Sequence, residues 1–455
     1  MKVLSIGGGA REHAVVKAFD RAGAEIYAVM KNRNPGIAGI AREVCLCNEN
    51  DIKTVLEFAE RVTPDIAFIG PEAPLAAGLS DALEEAGIPV SSPSRSAARI
   101  ETSKEFAREL MKKHGIPGLV DFRVFHEREG IKDYLESLKS EYVIKPIGLT
   151  GGKGVKVMGD HFNTTEEAME YINEIFDSGI GGGAGVIIEE KAVGEEFTVQ
   201  AFTDGSHVMP MPAVQDNKRA YEGDRGPNTG GMGSYSRADG LLPFLKKEDY
   251  DAAVEIIRRT ITALKDEGAP YKGVIYGQFI LTRDGVKVIE FNARFGDPEA
   301  MNVLSVLKTS MAEIANGIVS GNLKEEGEFE RVATVCKYVV PEGYGVKSAA
   351  GEPLLINEKG IKEAGAEIFY ASVNVDITDA GSDRRKVYTT TSRSMGILAK
   401  SEEPGNEGIY AAEIAVERAL KHIEGRFFAR HDIGTREYIR KKIERMKEIT
   451  NDPRV

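Results

Sequence analysis

Val288-Ile289-Glu290-Phe291-Asn292-Ala293-Arg294-Phe295-Gly296-Asp297-Pro298-Glu299 concentrates groups able to do chemistry in one short run. Val288–Asn292 alternates as a strand does, so Glu290 and Asn292 project from one face, two residues apart. A carboxylate and an amide oxygen side by side are hard donors suited to Mg²⁺ or Mn²⁺. Arg294 adds a forked guanidinium for a carboxylate or phosphate, and Asp297 and Glu299 add acid beyond it. The plainer alternative is a solvated edge strand ending in a turn.

Other segments weigh against that alternative. Gly148-Leu149-Thr150-Gly151-Gly152-Lys153-Gly154 carries four glycines and a lysine between two strands, which suits a flap closing backbone N–H groups and Lys153 over polyphosphate. It lacks G-x-x-x-x-G-K-[ST] and leads into a strand, so it is not a P-loop. Lys145 interrupts the apolar strand before it, and a lysine there calls for an anionic partner. Ile187-Ile188-Glu189-Glu190-Lys191-Ala192-Val193-Gly194-Glu195-Glu196 passes from an apolar strand into an acidic connector, either a charged turn or a hinge offering backbone groups to a base and a carboxylate to a ribose. Asp284-Gly285 marks a hairpin. A three-residue loop sets Gln278 opposite Glu290 as a further oxygen donor; a two-residue loop turns Gln278 to the other face.

These groups need a scaffold. With 455 residues the chain exceeds one hydrophobic core. From residue 1 to about 103, short apolar strands (Lys2–Ile6, Glu25–Val29, Ile66–Ile69, Pro89–Val90) alternate with helices near Glu12–Ala22, Ile52–Val62 and Leu75–Ala86. That order reads as an open parallel sheet with ligands at its carboxyl ends. The loops Gly7-Gly8-Gly9 and Gly70-Pro71-Glu72 fall there, but Glu12 replaces the third glycine of a dinucleotide fingerprint, so a smaller phosphorylated ligand is expected. Thr102-Ser103-Lys104-Glu105 opens a helix. A β-rich unit over 121–195, a core over 104–120 and 196–328, and a β-rich C-terminal unit over 329–455 complete the division.

Composition excludes other classes. A net charge of −12 argues against nucleic acid, and no segment reaches membrane-span length. Three cysteines, with Cys45 and Cys47 read as strand residues in a core, indicate a reducing cytoplasm. The seven histidines form no catalytic pair and G-x-S-x-G is absent, so covalent serine or cysteine catalysis lacks support.

In order along the chain, Lys104, Lys145, the glycine flap, the acidic hinge and Glu290-x-Asn292 resemble the ATP-grasp superfamily. Within it, GGGAREHA at 7–14, GPEAPL at 70–75, QDNKR at 215–219, GPNTGGMG at 226–233 and EFNARFGDPE at 290–299 resemble the phosphoribosylamine–glycine ligase family. The resemblance implies an α/β multidomain fold: an N-terminal open parallel α/β sheet, an ATP-grasp core with a mobile lid, and a small C-terminal domain. It implies ATP with Mg²⁺ or Mn²⁺, the substrates glycine and 5-phosphoribosylamine, and no nucleic-acid or membrane partner. By motif position, Lys104, Lys145, Gly151, Gly152, Lys153, Glu190, Ala192 and Glu196 would meet ATP. Gln278, Glu290 and Asn292 would hold the metal. Gly8, Gly9, Glu72, Asp216, Arg294 and Asp297 would meet the other substrates, with Lys145, Arg294 and Asp297 as the catalytic set. Gly9-Ala10 departs from the family where two glycines are common. Ser392-Arg393-Ser394 departs from a glycine-rich turn, and no chemistry is assigned to it. An ATP-grasp carboxylase or another carboxylate–amine ligase is the competing reading, and a nucleotide-binding module without turnover is a third.

Overall fold

A computed structural model describes residues 1–150, 154–375 and 384–451. Lys2–Ile6, Glu25–Met30 and Ile66–Ile69 form a parallel sheet as expected, and Glu43–Leu46 joins it at one edge, outside Glu25–Met30. Val90 contributes only an isolated bridge to Ala67. The helix expected over Leu75–Ala86 is two helices, Glu72–Ala77 and Leu79–Glu85. Gly78 between them has φ +92, a left-handed conformation that breaks the first helix. Cys45 and Cys47 are half-buried at the sheet edge and not in the core proper, with their thiols 3.6 Å apart.

An antiparallel sheet of Val208–Pro210, Gly194–Thr203, Gly273–Thr282 and Gly285–Asn292 carries the chemistry-bearing strand. Its last hairpin resolves the choice left open by Asp284-Gly285. The loop has two residues, since Thr282 pairs with Gly285, yet Gln278 still faces Glu290. Phe279 pairs with Val288 and Gln278 with Glu290, so Ile289 is the extra residue of a β-bulge that resets the register. A bulge was not anticipated, because nothing in the local residue types announces one.

The lid sheet runs Phe122–Phe125, Val186–Glu190, Tyr142–Pro146, Lys156–Val157. Phe125, Ile131, Tyr142, Ile144, Tyr171 and Ile188 belong to a hydrophobic cluster separate from the main core. At its base, a Cβ on Gly148 would stand 2.2 Å from the Gly181 carbonyl oxygen, so these two loops approach only because position 148 is glycine. A five-stranded sheet joins Gln215–Asp216 and Gly233–Ser236 to the C-terminal strands Ala333–Val339, Met395–Ser401 and Ala366–Tyr370. Motifs expected with the core thus share a sheet with the C-terminal unit. Among the described residues no helix is long and apolar enough to cross a membrane.

Candidate active site

Lys145 finds the partner its strand setting required. Its Nζ lies 2.6 Å from Glu189 Oε2, and Arg108 grips the same carboxylate through Nε at 2.7 Å and Nη2 at 3.0 Å. All three side chains are buried. Burial works to raise the Glu189 pKa, but Arg108 and Lys145 overcome it and hold the carboxyl at about 2. Both cations also donate to the carbonyl of the bulge residue Ile289, Arg108 at 2.7 Å and Lys145 at 3.3 Å. The bulge therefore does local work: it turns a main-chain acceptor toward the lysine. Glu189 was legible only as part of an acidic hinge, and Arg108 was not read at all.

Lys104 begins the helix Lys104–Lys113 after Ser103, whose side chain accepts from the Phe106 N–H. Its Nζ donates to the Gly148 carbonyl at 2.9 Å, at the base of the flap. Burial depresses the ammonium pKa against the pull of Glu290. Gly151, Gly152 and Lys153 lie outside the described residues. Glu190 is exposed at the end of its strand, and Ala192 follows in the connector.

Glu290 accepts no hydrogen bond from any described residue, although burial would otherwise penalise its charge. Lys218, Lys145 and Lys104 nonetheless hold its pKa below the ordinary value. Asn292 Oδ1 accepts from Arg294 Nη2 at 3.1 Å. Gln278 is occupied: its oxygen accepts from Lys218 Nζ at 2.6 Å and its Nε2 donates to Glu196. As a metal ligand Gln278 would have to release Lys218, which makes its amide a bridge between lysine and Glu196 in this state. Among the described residues no three His, Cys, Asp or Glu side chains cluster as a metal site. Glu290 and Asn292 nevertheless fit a hard cation that draws its remaining ligands from phosphate oxygens and water.

Beyond Asn292 the character changes. Arg294 Nη2 lies 2.9 Å from Glu101, whose other oxygen accepts from the Ala293 N–H at 2.7 Å. Glu72 forms an ion pair with Arg294 Nε at 3.6 Å, beyond hydrogen-bond reach, and that buried Nε has no hydrogen-bond partner among the described residues. Arg11 pairs with Glu12 at 2.7 Å and donates to the Phe295 carbonyl at 3.0 Å, joining the first-domain loop to the 290–299 motif. Glu12 also accepts from the Gly9 N–H at 2.8 Å, so the helix start expected to meet phosphate already holds a carboxylate at Gly9; Gly8 stays half-exposed. His13 of the same motif is structural. Burial holds it neutral, with a pKa near 3, and its Nδ1 accepts from the Tyr370 N–H at 3.0 Å.

Asp297 accepts from the Tyr338 hydroxyl and faces Arg393 Nη2 at 3.1 Å. Arg393 also donates to the carbonyls of Gly230, Gly231 and Asp297. The Ser392-Arg393-Ser394 turn, to which the sequence lent no chemistry, thus inserts a cation into the site, 163 residues from Gly230. Asp216 is half-buried beside Glu299; desolvation first, then that neighbouring charge, drive its pKa well up. Tyr276 donates to Glu299 at 2.9 Å. Glu101, Arg108 and Arg393 went unread because their partners are remote in the chain; the buried-charge argument that served Lys145 would have flagged only that such partners must exist.

A family model for the phosphoribosylglycinamide synthetase N domain matches residues 1–101, and one for its ATP-grasp (A) domain matches residues 102–300. A phosphoribosylamine–glycine ligase of Methanothermobacter thermautotrophicus is 52% identical over 449 residues, covering 99% of this chain and 100% of the relative. That of Thermococcus gammatolerans is 49% identical over 449 residues, covering 99% and 98%. The crystal structure of phosphoribosylamine–glycine ligase from Thermotoga maritima superposes with a TM-score of 0.77 at 25% identity, covering 95% of this chain and 100% of that one. A biotin carboxylase from Campylobacter jejuni reaches 0.72 at 15% identity over 97% and 96% of the two chains, a likeness of fold alone. With family models matching residues 1–300 and relatives about half identical over 99% of it, this chain belongs to the phosphoribosylamine–glycine ligase family of ATP-grasp enzymes.

Proposed function

We propose that the chain ligates glycine to 5-phosphoribosylamine at the expense of ATP, giving glycinamide ribonucleotide, ADP and phosphate in purine biosynthesis. A glycine carboxylate oxygen attacks the γ-phosphorus as the bond to ADP breaks. The amine nitrogen then attacks the carbonyl carbon of glycyl phosphate, phosphate leaves, and the nitrogen loses a proton. A free carboxylate is a poor electrophile, and its phosphoryl ester supplies the leaving group. The observation that carries this reading is the buried Nε of Arg294 beside Glu290 and Asn292, which has the Glu72 carboxylate at ion-pair distance but no hydrogen-bond acceptor among the described residues. It is an open donor for a carboxylate next to a strand suited to the nucleotide's metal.

In this reading Lys104, Lys145 and Lys218 neutralise charge on the transferring phosphoryl. Glu290 and Asn292 would hold Mg²⁺ or Mn²⁺, which when bound offsets phosphate charge. Backbone groups of Glu190 and Ala192 meet adenine, and Glu196 the ribose. Arg294 takes the glycine carboxylate and Asp216 its ammonium. Gly8, Gly9 and Glu72 hold phosphoribosylamine together with Asp297. Gly151, Gly152 and Lys153 close over the phosphates, because an acyl phosphate must be kept from water. The three free cysteines suit a cytoplasmic enzyme. Phosphate release with ATP and Mg²⁺, adding glycine and phosphoribosylamine singly and together, tests the reading. Full turnover is expected only with both. Release driven by bicarbonate and indifferent to glycine would instead establish the carboxylase alternative.

A further inference from the structure

The run Gln215-Asp216-Asn217-Lys218 begins as a strand, with Gln215 opposite Tyr235 and Asp216 opposite Ser234. Successive side chains therefore leave on opposite sides. Asp216 neighbours Glu299, and Lys218 reaches Gln278 and Glu196, so both belong to the site. Gln215 and Asn217 turn the other way, toward the C-terminal helix Arg436–Thr450. Asn217 is buried; its Nδ2 donates to the Gly233 carbonyl at 3.0 Å, and its Oδ1 stands 2.5 Å from the hydroxyl of Tyr438. The same hydroxyl lies 2.9 Å from Asp224, which also takes Lys442 at 2.8 Å and Arg430 at 3.0 Å. Asp224 adopts φ +54 at the turn between Arg219–Tyr221 and Arg225–Asn228, a conformation that non-glycine residues keep only when neighbours impose it. Gln215 donates to buried Glu195 at 3.3 Å, and Glu195 is held from the helix by Lys442 at 3.1 Å and Arg445 at 3.0 Å.

We infer that the helix Arg436–Thr450 is a rear brace for the substrate loop, with Tyr438 as the positioning residue that fixes Asp216 and Lys218 by holding Asn217 between them. A buried amide pinned on one side by Gly233 and on the other by Tyr438 leaves the segment no freedom to rotate about its own axis. Without the hydroxyl, Asn217 Oδ1 loses its donor, and the two functional side chains on either side gain that freedom. The lysines that frame the nucleotide, Lys104 and Lys145, are anchored elsewhere, on Gly148 and Glu189. Loss of the brace should therefore register more strongly on glycine than on ATP, which keeps two of its three lysines in place.

This inference rests on the ligase reading, and the test separates the two. Tyr438→Phe in the full-length enzyme is compared with Glu407→Gln, which cuts the exposed Arg436–Glu407 pair at the start of the same helix without touching the loop. Tyr438→Phe should lower kcat/KM for glycine about 10-fold, the scale expected when a catalytic group is displaced slightly. KM for ATP should change by less than that, and amide exchange should quicken over 215–221. Glu407→Gln should leave all three at wild-type values. On an Asn217→Ala background the Tyr438→Phe change should have no further effect, because both act through one contact. Wild-type glycine kinetics with unaltered exchange in Tyr438→Phe would overturn the brace, as would additive losses in the double variant. Wild-type enzyme whose phosphate release ignores glycine would refute the ligase reading, while the exchange comparison would still decide whether the helix restrains the loop.

Discussion

On the lid-facing side of the strand Gly285–Asn292, the cations Lys104, Lys145, Arg108 and Lys218 meet the acids Glu189, Glu196 and Glu290. Beyond its carboxyl end, Arg11, Arg294 and Arg393 meet Glu12, Glu72, Glu101, Asp216, Asp297 and Glu299. The first cluster has cations in excess, and burial depresses the ammonium of Lys104. The second has acids in excess, and burial first, with neighbouring carboxylates adding to it, raises the pKa values of Glu101, Asp216 and Glu299. A cation-rich pocket is incomplete until a polyanion arrives; an acid-rich one is incomplete until an ammonium or amine arrives. Along one strand and the turn that follows it, the charges are sorted to suit two kinds of substrate.

Removing the one acid that the cation-rich side leaves without a hydrogen bond is the harshest test of that contrast. Glu290→Gln keeps size and shape but deletes the charge on which three lysines converge. Turnover should fall by about 10³-fold, at the upper end for losing a preorganised electrostatic group. Circular dichroism should stay unchanged. A near-normal rate at saturating Mg²⁺ would remove Glu290 from the chemistry.

Lys145→Ala comes next, with an expected loss of about 10²-fold in turnover. It also distinguishes catalysis from packing, because Arg108 still holds Glu189 when the lysine is gone. The depressed pKa of Glu189 means this carboxylate contributes stability in full above about 4.5, and that contribution is lost as pH falls toward about 2. In the variant the Glu189 pKa should rise and acid unfolding should begin at higher pH, while the enzyme stays folded at neutral pH. If the variant unfolds readily yet retains specific activity, Lys145 is a structural lysine.

How far this contrast was readable from sequence differs between the two sides. Lys145 stood out because a lone cation in an apolar strand breaks a local pattern, and Glu290-x-Asn292 because period-two spacing is itself local. The parallel first sheet was readable from strand–helix alternation for the same reason, whereas its edge strand Glu43–Leu46, partly exposed and without alternation, was read only through Cys45 and Cys47, and as core. The acid-rich side depends on pairs with no local signature. Glu101 meets Ala293 across 192 positions and Arg393 meets Gly230 across 163. The Ile289 bulge was equally silent: a hairpin's turn residues predict its loop but not an insertion partway along the ladder. Local periodicity reports which face a residue takes; only the folded chain reports what that face meets.

The gentlest probe of the contrast is a proton count. Burial, then Glu299, raise the Asp216 pKa well above that of an ordinary aspartate, so without substrate this side chain keeps a proton to higher pH than an exposed aspartate would. If glycine's ammonium docks against it, the added positive charge favours the ionised form, and binding must expel that proton. Glycine affinity should therefore rise with pH across the range where Asp216 is still protonated, by at most about tenfold per unit, the limit for one linked proton. The heat of glycine binding should vary with the ionisation enthalpy of the buffer, and Asp216→Asn should abolish that variation. ATP binding, governed by the cation-rich side, should show the opposite sense: a polyanion raises the depressed Lys104 pKa, so any linked proton is taken up and affinity falls with rising pH. Finding the same sign for both ligands would erase the division of charge along the strand, and a buffer-independent heat for glycine would remove Asp216 from its ammonium.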